Sequence, residues 1–240
     1  MRVCVLDIES ERLIEDWNKP WEGGLSVCGL WVSWSGGEFR LYQRDELEYA
    51  VRDIEEADVL VSKNGLGYDV PALEGLWEQP LNVRSHVDLQ RIVEEALGFR
   101  VSLDNMAHTT LGRAKDGAGA MAPTLWKDGR FARLHTYNMR DLGLTRDLFF
   151  FAQQYGYVLV TVDGNVVRIP CHVPGGVPRW QPLPPSEKRK PNYAPPTERQ
   201  LQALTKIWAA KGVPSWRPPD GLTKDQASKM IQESRQGDSP

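Results

Sequence analysis

Apolar residues along this chain fall into short runs and helical stripes that take turns. Residues 2–8 are a short apolar run of β type ending at Asp7. A loop carrying Trp17, Pro20, Trp21 and Gly23-Gly24 follows. Residues 25–34 and 38–42 read as two strands joined at Ser35-Gly36-Gly37, a turn signal. Leu47, Val51 and Ile54 stand at helical spacing within 45–57, with acids between them. Residues 58–62 read as another strand, leading into a loop at Asn64-Gly65-Leu66-Gly67 and a helix near 69–77. A fifth strand is predicted at 85–89, then helices near 89–97 and 102–111. Residues 112–129 hold four glycines and one proline, which predicts a mobile loop. A long amphipathic helix is predicted over 131–155. Residues 157–162 and 165–169 alternate about Asp163-Gly164, a hairpin signal. This order predicts an α/β fold: a mixed sheet covered by helices, with a β-hairpin extension.

Composition shifts after this region. From Pro170 to Pro196 the chain holds nine of its 17 prolines, with Ser186-Glu187-Lys188-Arg189-Lys190 in the middle. Residues 171–196 therefore read as an extended, semi-rigid, basic linker. Lys188-Arg189-Lys190 suits either contact with a phosphate backbone or simple solvation. A helix over 197–211 is predicted from Thr197, a plausible N-cap with Gln200 three residues on. A second short helix is predicted from Thr223, with Ala227, Met230 and Ile231 as its apolar set. Two helices bury little surface, so 197–240 reads as a small helical appendage, marginal by itself. The expected division is 1–170, 171–196 and 197–240.

Composition narrows the class. At 41% hydrophobic and 25% charged, the chain has an ordinary globular composition. It has no apolar run near the roughly 20 residues of a membrane helix. Its first residues lack a signal-peptide pattern. A cytoplasmic protein with no membrane contact is expected. Cys4, Cys28 and Cys171 are widely spaced, so reduced and mostly buried thiols are expected rather than a zinc site. The net charge of −3 does not advertise a nucleic-acid binder, but its distribution is uneven. Residues 181–240 hold ten basic and six acidic residues, and residues 1–180 hold 19 and 26. An acidic excess suits clustered carboxylates awaiting cations, or only a solvated surface.

Three motifs carry candidate chemistry. In Asp7-Ile8-Glu9, strand alternation puts both acids on one face with Ile8 on the other. Adjacent carboxylates repel unless a cation sits between them, and oxygen ligands suit Mg²⁺ or Mn²⁺. A strand end with two solvated acids is the plain alternative. In Asn64-Gly65-Leu66-Gly67-Tyr68-Asp69, the glycines permit a tight backbone after a strand. Asp69 then opens a helix, where the dipole favours a carboxylate whatever its function. In Tyr137-Asn138-Met139-Arg140-Asp141, Tyr137 and Asp141 share a helix face one turn apart. A core tyrosine and an Asp paired with Arg140 or Arg146 would satisfy the same pattern.

Taken together, the three motifs resemble the DEDD exonuclease superfamily. The acids stand at a first strand end (Asp7, Glu9), in an Asn-x-x-x-Tyr-Asp setting (Asp69) and in Tyr-x-x-x-Asp (Asp141). The tyrosine matches the DEDDy branch. Ser102-Leu103, Leu111-Gly112, Trp126 with Gly129, and Tyr137-Asn138 also resemble the bacterial and phage ribonuclease-H-like subgroup. The resemblance covers about residues 1–170 and implies a ribonuclease-H-like fold with a mixed five-stranded sheet. It implies two divalent ions, with Asp7 bridging both, Glu9 and Asp141 completing one site, and Asp69 serving the other. Tyr137 would orient the attacking water. Two ions clamp the attacking and leaving oxygens of an in-line displacement. The family trims strands from the 3′ end.

Single-stranded DNA ends are the expected substrate. An RNA-trimming enzyme, a structure-specific endonuclease and an inactive nucleic-acid-binding module are the rival readings. Trp17 and Trp21 would stack on unpaired bases or pin their loop. Asn64 would contact the terminal nucleotide or cap its turn, and Lys63 would touch a phosphate or stay solvated. His108 and His135 read as structural. The C-terminal unit resembles a helical module appended to varied bacterial and phage proteins, with nucleic acid or a protein partner as its expected contact.

Overall fold

The computed structural model describes residues 1–113, 121–176 and 198–210, with Ala227 and Ile231 besides. The chain divides into two compact units, Met1–Gln181 and Pro182–Pro240. In the second unit one described helix spans Glu198–Ala210, with Leu204 buried. The predicted cap at Thr197, the basic run at 188–190 and most of the helix predicted from Thr223 lie outside the described residues.

The first unit is an α/β structure built on β1 (Val3–Glu9), β2 (Val27–Val32), β3 (Glu38–Tyr42), β4 (Val59–Ser62) and β5 (His86–Asp88). The sheet order is β3-β2-β1-β4-β5. β1 pairs antiparallel with β2, and β2 with β3, while β4 and β5 run parallel to β1. Every residue of β2 and β4 is buried, as expected where helices cover both faces of a sheet.

Alternation along β1 sorts its side chains between two cores. Cys4, Leu6 and Ile8 join α1 (Leu47–Glu56) and α2 (Asp69–Trp77) on one face. Leu47, Ala50, Val51 and Ile54 form the buried stripe of α1. Val3 and Val5 join Leu142, Leu144, Leu148 and Phe149 on the other. These belong to the 25-residue helix Phe131–Tyr155, numbered α6 below. Phe149 has no exposed surface, and truncating such a ring to alanine costs about 3–5 kcal/mol. Asp7 and Glu9 continue the Val3-Val5 series, so they stand on the α6 face, just beyond its apolar core.

Two further helices follow β5. Asp88 caps α3 (Leu89–Leu97), accepting from the Gln90 and Arg91 N–H groups. Ser102 caps α4 (Leu103–Leu111), accepting from Asn105 N–H. The hairpin β6 (Tyr157–Val162) and β7 (Asn165–Pro170) turns at Asp163-Gly164, with φ of 49° and 75°. That left-handed pair matches the strand twist of a two-residue hairpin. Asn105 donates to Thr161 O and accepts from Thr161 N–H, both at 2.8 Å. Thr110 does the same for Leu159, at 2.8 and 2.9 Å. Side chains of α4 thus stand in for a neighbouring strand along the open edge of β6.

The structure corrects one expectation. The stretch 112–129, predicted as a mobile loop, contains a helix, α5 (Ala122–Lys127). Pro123 sits in its first turn, where a missing N–H is harmless. Ala122 and Leu125 pack with Val27 and Leu134 in a small core of their own. Residues 114–120 of the same stretch lie outside the described residues.

Candidate active site

β1 is the middle strand of the sheet, and its carboxyl end carries Asp7 and Glu9, both half-buried. α6 crosses the same face and brings Tyr137, Asn138 and Asp141, all buried. Oxygens of Asp7, Glu9 and Asp141 lie within 4.8 Å of one another. Strand period two and helical spacing thus bring two acids of one strand and a third, more than 130 residues further along the chain, to one point.

Asp69 approaches from the opposite side of β1. It is the first residue of α2 and is buried. β1 pairs with β4 only as far as Val5. Beyond that point the Ile8 N–H donates instead to Asp69 Oδ1, at 2.8 Å. Burial pushes the Asp69 carboxyl up to about 7, opposed by the backbone N–H groups of Ile8 and Asp69 itself. Asp88 pushes it the same way as burial, and Lys63 the other. Asp69 stands outside the trio but lines the same cavity. That cavity, of about 420 Å³, is also lined by Asp7, Glu9, Tyr137 and Asp141.

Donor chemistry tests whether a divalent cation suits this place. The trio offers only carboxylate oxygens, with no sulfur or imidazole among the converging ligands. Mg²⁺ and Mn²⁺ prefer this set, and a cation relieves the mutual repulsion of the acids. The residues fit the group.

The remaining predicted residues separate. Asn64 lines the cavity, with a φ of +77°. Its N–H donates to Asp88 Oδ1 at 2.8 Å, and its side-chain oxygen accepts from Arg100. Lys63 lines the cavity too. Trp17 is 64% exposed and meets the ring of Tyr68 edge-on at 6.1 Å. Tyr68 lines the cavity, and burial pushes its phenol up, so it stays neutral. Trp21 is instead a packing residue. Its indole lies on α2 at Gly75, where an added Cβ would meet the ring at 2.3 Å. Neither tryptophan lines the cavity itself.

Sequence reasoning missed Asp88 as an organiser of the Asn64 loop. Besides capping α3 it accepts from Asn64 and Leu66 N–H, at 2.8 and 3.0 Å. An acid between a strand and a helix was a signal available for it. Ser102, Leu103 and Asp104, at the start of α4, also line the cavity. Only the family resemblance marked the first two, and nothing marked Asp104.

Comparison with known proteins agrees with this architecture. Residues 4–146 match the family model described as the RNase_H superfamily. A DNA-directed DNA polymerase of Enterobacteria phage T3 is 26% identical over 119 residues. That match takes in 48% of this chain and only 16% of the polymerase. A solved structure, the family B DNA polymerase of the hyperthermophilic archaeon Pyrobaculum calidifontis, superposes with a TM-score of 0.51 at 22% identity. The match covers 63% of this chain and 24% of that one, and it speaks for the fold. With well over half of its residues inside the family match, the chain belongs to the RNase_H superfamily.

Proposed function

We propose that the chain is a 3′–5′ exonuclease of the DEDDy type that hydrolyses phosphodiester bonds at single-stranded DNA ends. The observation that carries this reading is the convergence of Asp7, Glu9 and Asp141 within 4.8 Å, in a cavity shared with Asp69 and Tyr137. Both compared proteins are DNA polymerases, matched over a fraction of their length. That favours DNA over RNA.

Two divalent cations, Mg²⁺ or Mn²⁺, when bound would polarise the scissile phosphate and stabilise the attacking and departing oxygens. Asp7 would serve both ions, Glu9 and Asp141 the first, and Asp69 the second. With its carboxyl raised to about 7, Asp69 carries a proton part of the time near neutral pH and would give it up as a cation enters. Tyr137, buried to 8% exposure, would hold the water by its hydroxyl. Asn64 would meet the terminal nucleotide, and Trp17, exposed beside Tyr68, offers a face for an unpaired base.

The proposed organisation is a nuclease domain over 1–170, a basic linker over 171–196, and a helical module over 197–240 that docks nucleic acid or a protein partner. A cytoplasmic setting accords with three buried, free cysteines. Among the described residues no helix is long and apolar enough to cross a membrane.

The test is digestion of 5′-labelled single-stranded DNA and RNA with Mg²⁺ or Mn²⁺, alongside Asp7→Ala and an EDTA control. The expected result is a ladder shortening from the 3′ end of DNA, lost with Asp7→Ala and with EDTA. Internal cuts would replace the exonuclease by an endonuclease of the same fold. Binding without cleavage would leave a nucleic-acid-binding module.

A further inference from the structure

Asn138 is fully buried on α6, three residues before Asp141 and so on the same helix face. Its amide nitrogen donates twice to one residue: to Asp7 O at 2.9 Å and to Asp7 Oδ2 at 2.8 Å. Its Oδ1 accepts no hydrogen bond among the described residues. The opposite amide orientation would aim that oxygen at two acceptors of Asp7, so the nitrogen must face the acid. Room for the amide comes from β2. Gly29 stands opposite Asp7 in the β1–β2 register. A Cβ at Gly29 would lie 1.7 Å from Asn138 Oδ1.

We infer that Asn138, seated over Gly29, is a positioning residue that sets the carboxylate of Asp7 for cation binding. One N–H fixes which way the carboxylate turns, and the other ties α6 to the β1 backbone. The same side chain therefore fixes both the rotamer of Asp7 and the distance at which Asp141 is delivered. A neutral donor suits this position. A Lys or Arg here would compete with the incoming cation, and an acid would add repulsion. An amide orients the carboxylate and leaves its charge in place. This inference rests on the metal-dependent reading proposed above.

The test measures Mn²⁺ affinity of the full chain by titration calorimetry, with no substrate present. Asn138→Leu keeps the branched shape of the side chain and removes both donors. Gly29→Ala leaves the donors and displaces the amide, so it serves if Asn138→Leu fails to fold. Ile54→Ala, in the core under α1, controls for general loss of stability. The expected result is Mn²⁺ binding weakened roughly 10- to 100-fold by Asn138→Leu and by Gly29→Ala, with Ile54→Ala binding as wild type. Folded Asn138→Leu or Gly29→Ala protein that binds within about twofold of wild type overturns the positioning role alone. A wild type that binds no Mn²⁺ overturns the metal reading, and this inference with it.

Discussion

Two acidic sites on opposite faces of one sheet have been resolved differently. Under α1, Asp53 is 3% exposed and meets Arg40 Nη1 at 2.8 Å and the Tyr42 hydroxyl. Arg40 also pairs with Glu38. The hydrogen bonds to these acids raise the guanidinium further above its ordinary range. Burial, with the Asp53 contact behind it, keeps the Tyr42 phenol neutral. Under α6, acids from three positions converge on one another, and a neutral amide holds one of them. The first arrangement answers a buried acid with a cation of the chain itself. The second collects like charges at a cavity, which favours a cation from solution. A buried acid is thus no sign of function. What its neighbours are decides the matter.

The comparison breaks most sharply at Asp7. Asp7→Ala should reduce exonuclease turnover by at least about 10³-fold, because groups that act as a unit fail together. Thermal unfolding without metal should show a smaller loss of stability than Asp53→Ala, since relief of repulsion among the acids offsets the hydrogen bond that Asn138 loses. Steady-state digestion with paired melting curves checks both halves.

Asp53→Ala should do the reverse. It strips Arg40 and Tyr42 of a buried partner and should cost about 3 kcal/mol. That is the low end for a broken buried pair, because the Arg40 side chain keeps 25% exposure. Urea unfolding measures the loss, and Mn²⁺ affinity of the folded fraction should stay as in wild type.

Adding Mn²⁺ sharpens the contrast. At about 100 times its dissociation constant, the ion should stabilise wild type by about 2.7 kcal/mol. It should stabilise Asp53→Ala equally and Asp7→Ala hardly at all. Differential scanning calorimetry with and without the ion reads this directly.

The smallest effect concerns His86, near the loop that carries Asn64. His86 Nε2 lies 2.8 Å from Ser62 Oγ, and burial holds the imidazole below its ordinary value of 6.5. A lowered folded value means that the unfolded chain binds more protons. The contribution of His86 to stability should therefore fall as pH drops below about 6.5, against the opposite contribution of Asp69, whose folded carboxyl is raised. Denaturant titrations of wild type and His86→Gln should show the stability of wild type relative to the variant decreasing from pH 7 to pH 5.

Much of this was legible in the sequence, for reasons that differ by residue. Alternation alone put Asp7 and Glu9 on one face of β1, and helical spacing put Tyr137 beside Asp141. That these faces meet needed the family resemblance, because no local pattern sets a contact across more than 130 residues. The role of Asn138 was hidden, since it depends on Gly29 standing opposite Asp7 on the next strand. The helix at 122–127 was hidden by averaging: the glycines at 117 and 119 and the turn at Gly129 masked six helical residues started by Pro123. Trp17 and Trp21 looked alike in sequence. Only Gly75, which makes room for one indole, separates them.

The most direct test of the central claim is anomalous diffraction from crystals soaked in Mn²⁺. A peak is expected among the carboxylates of Asp7, Glu9 and Asp141, with a second toward Asp69. Crystals that diffract well and show no peak at the trio, or one only elsewhere on the chain, would contradict it.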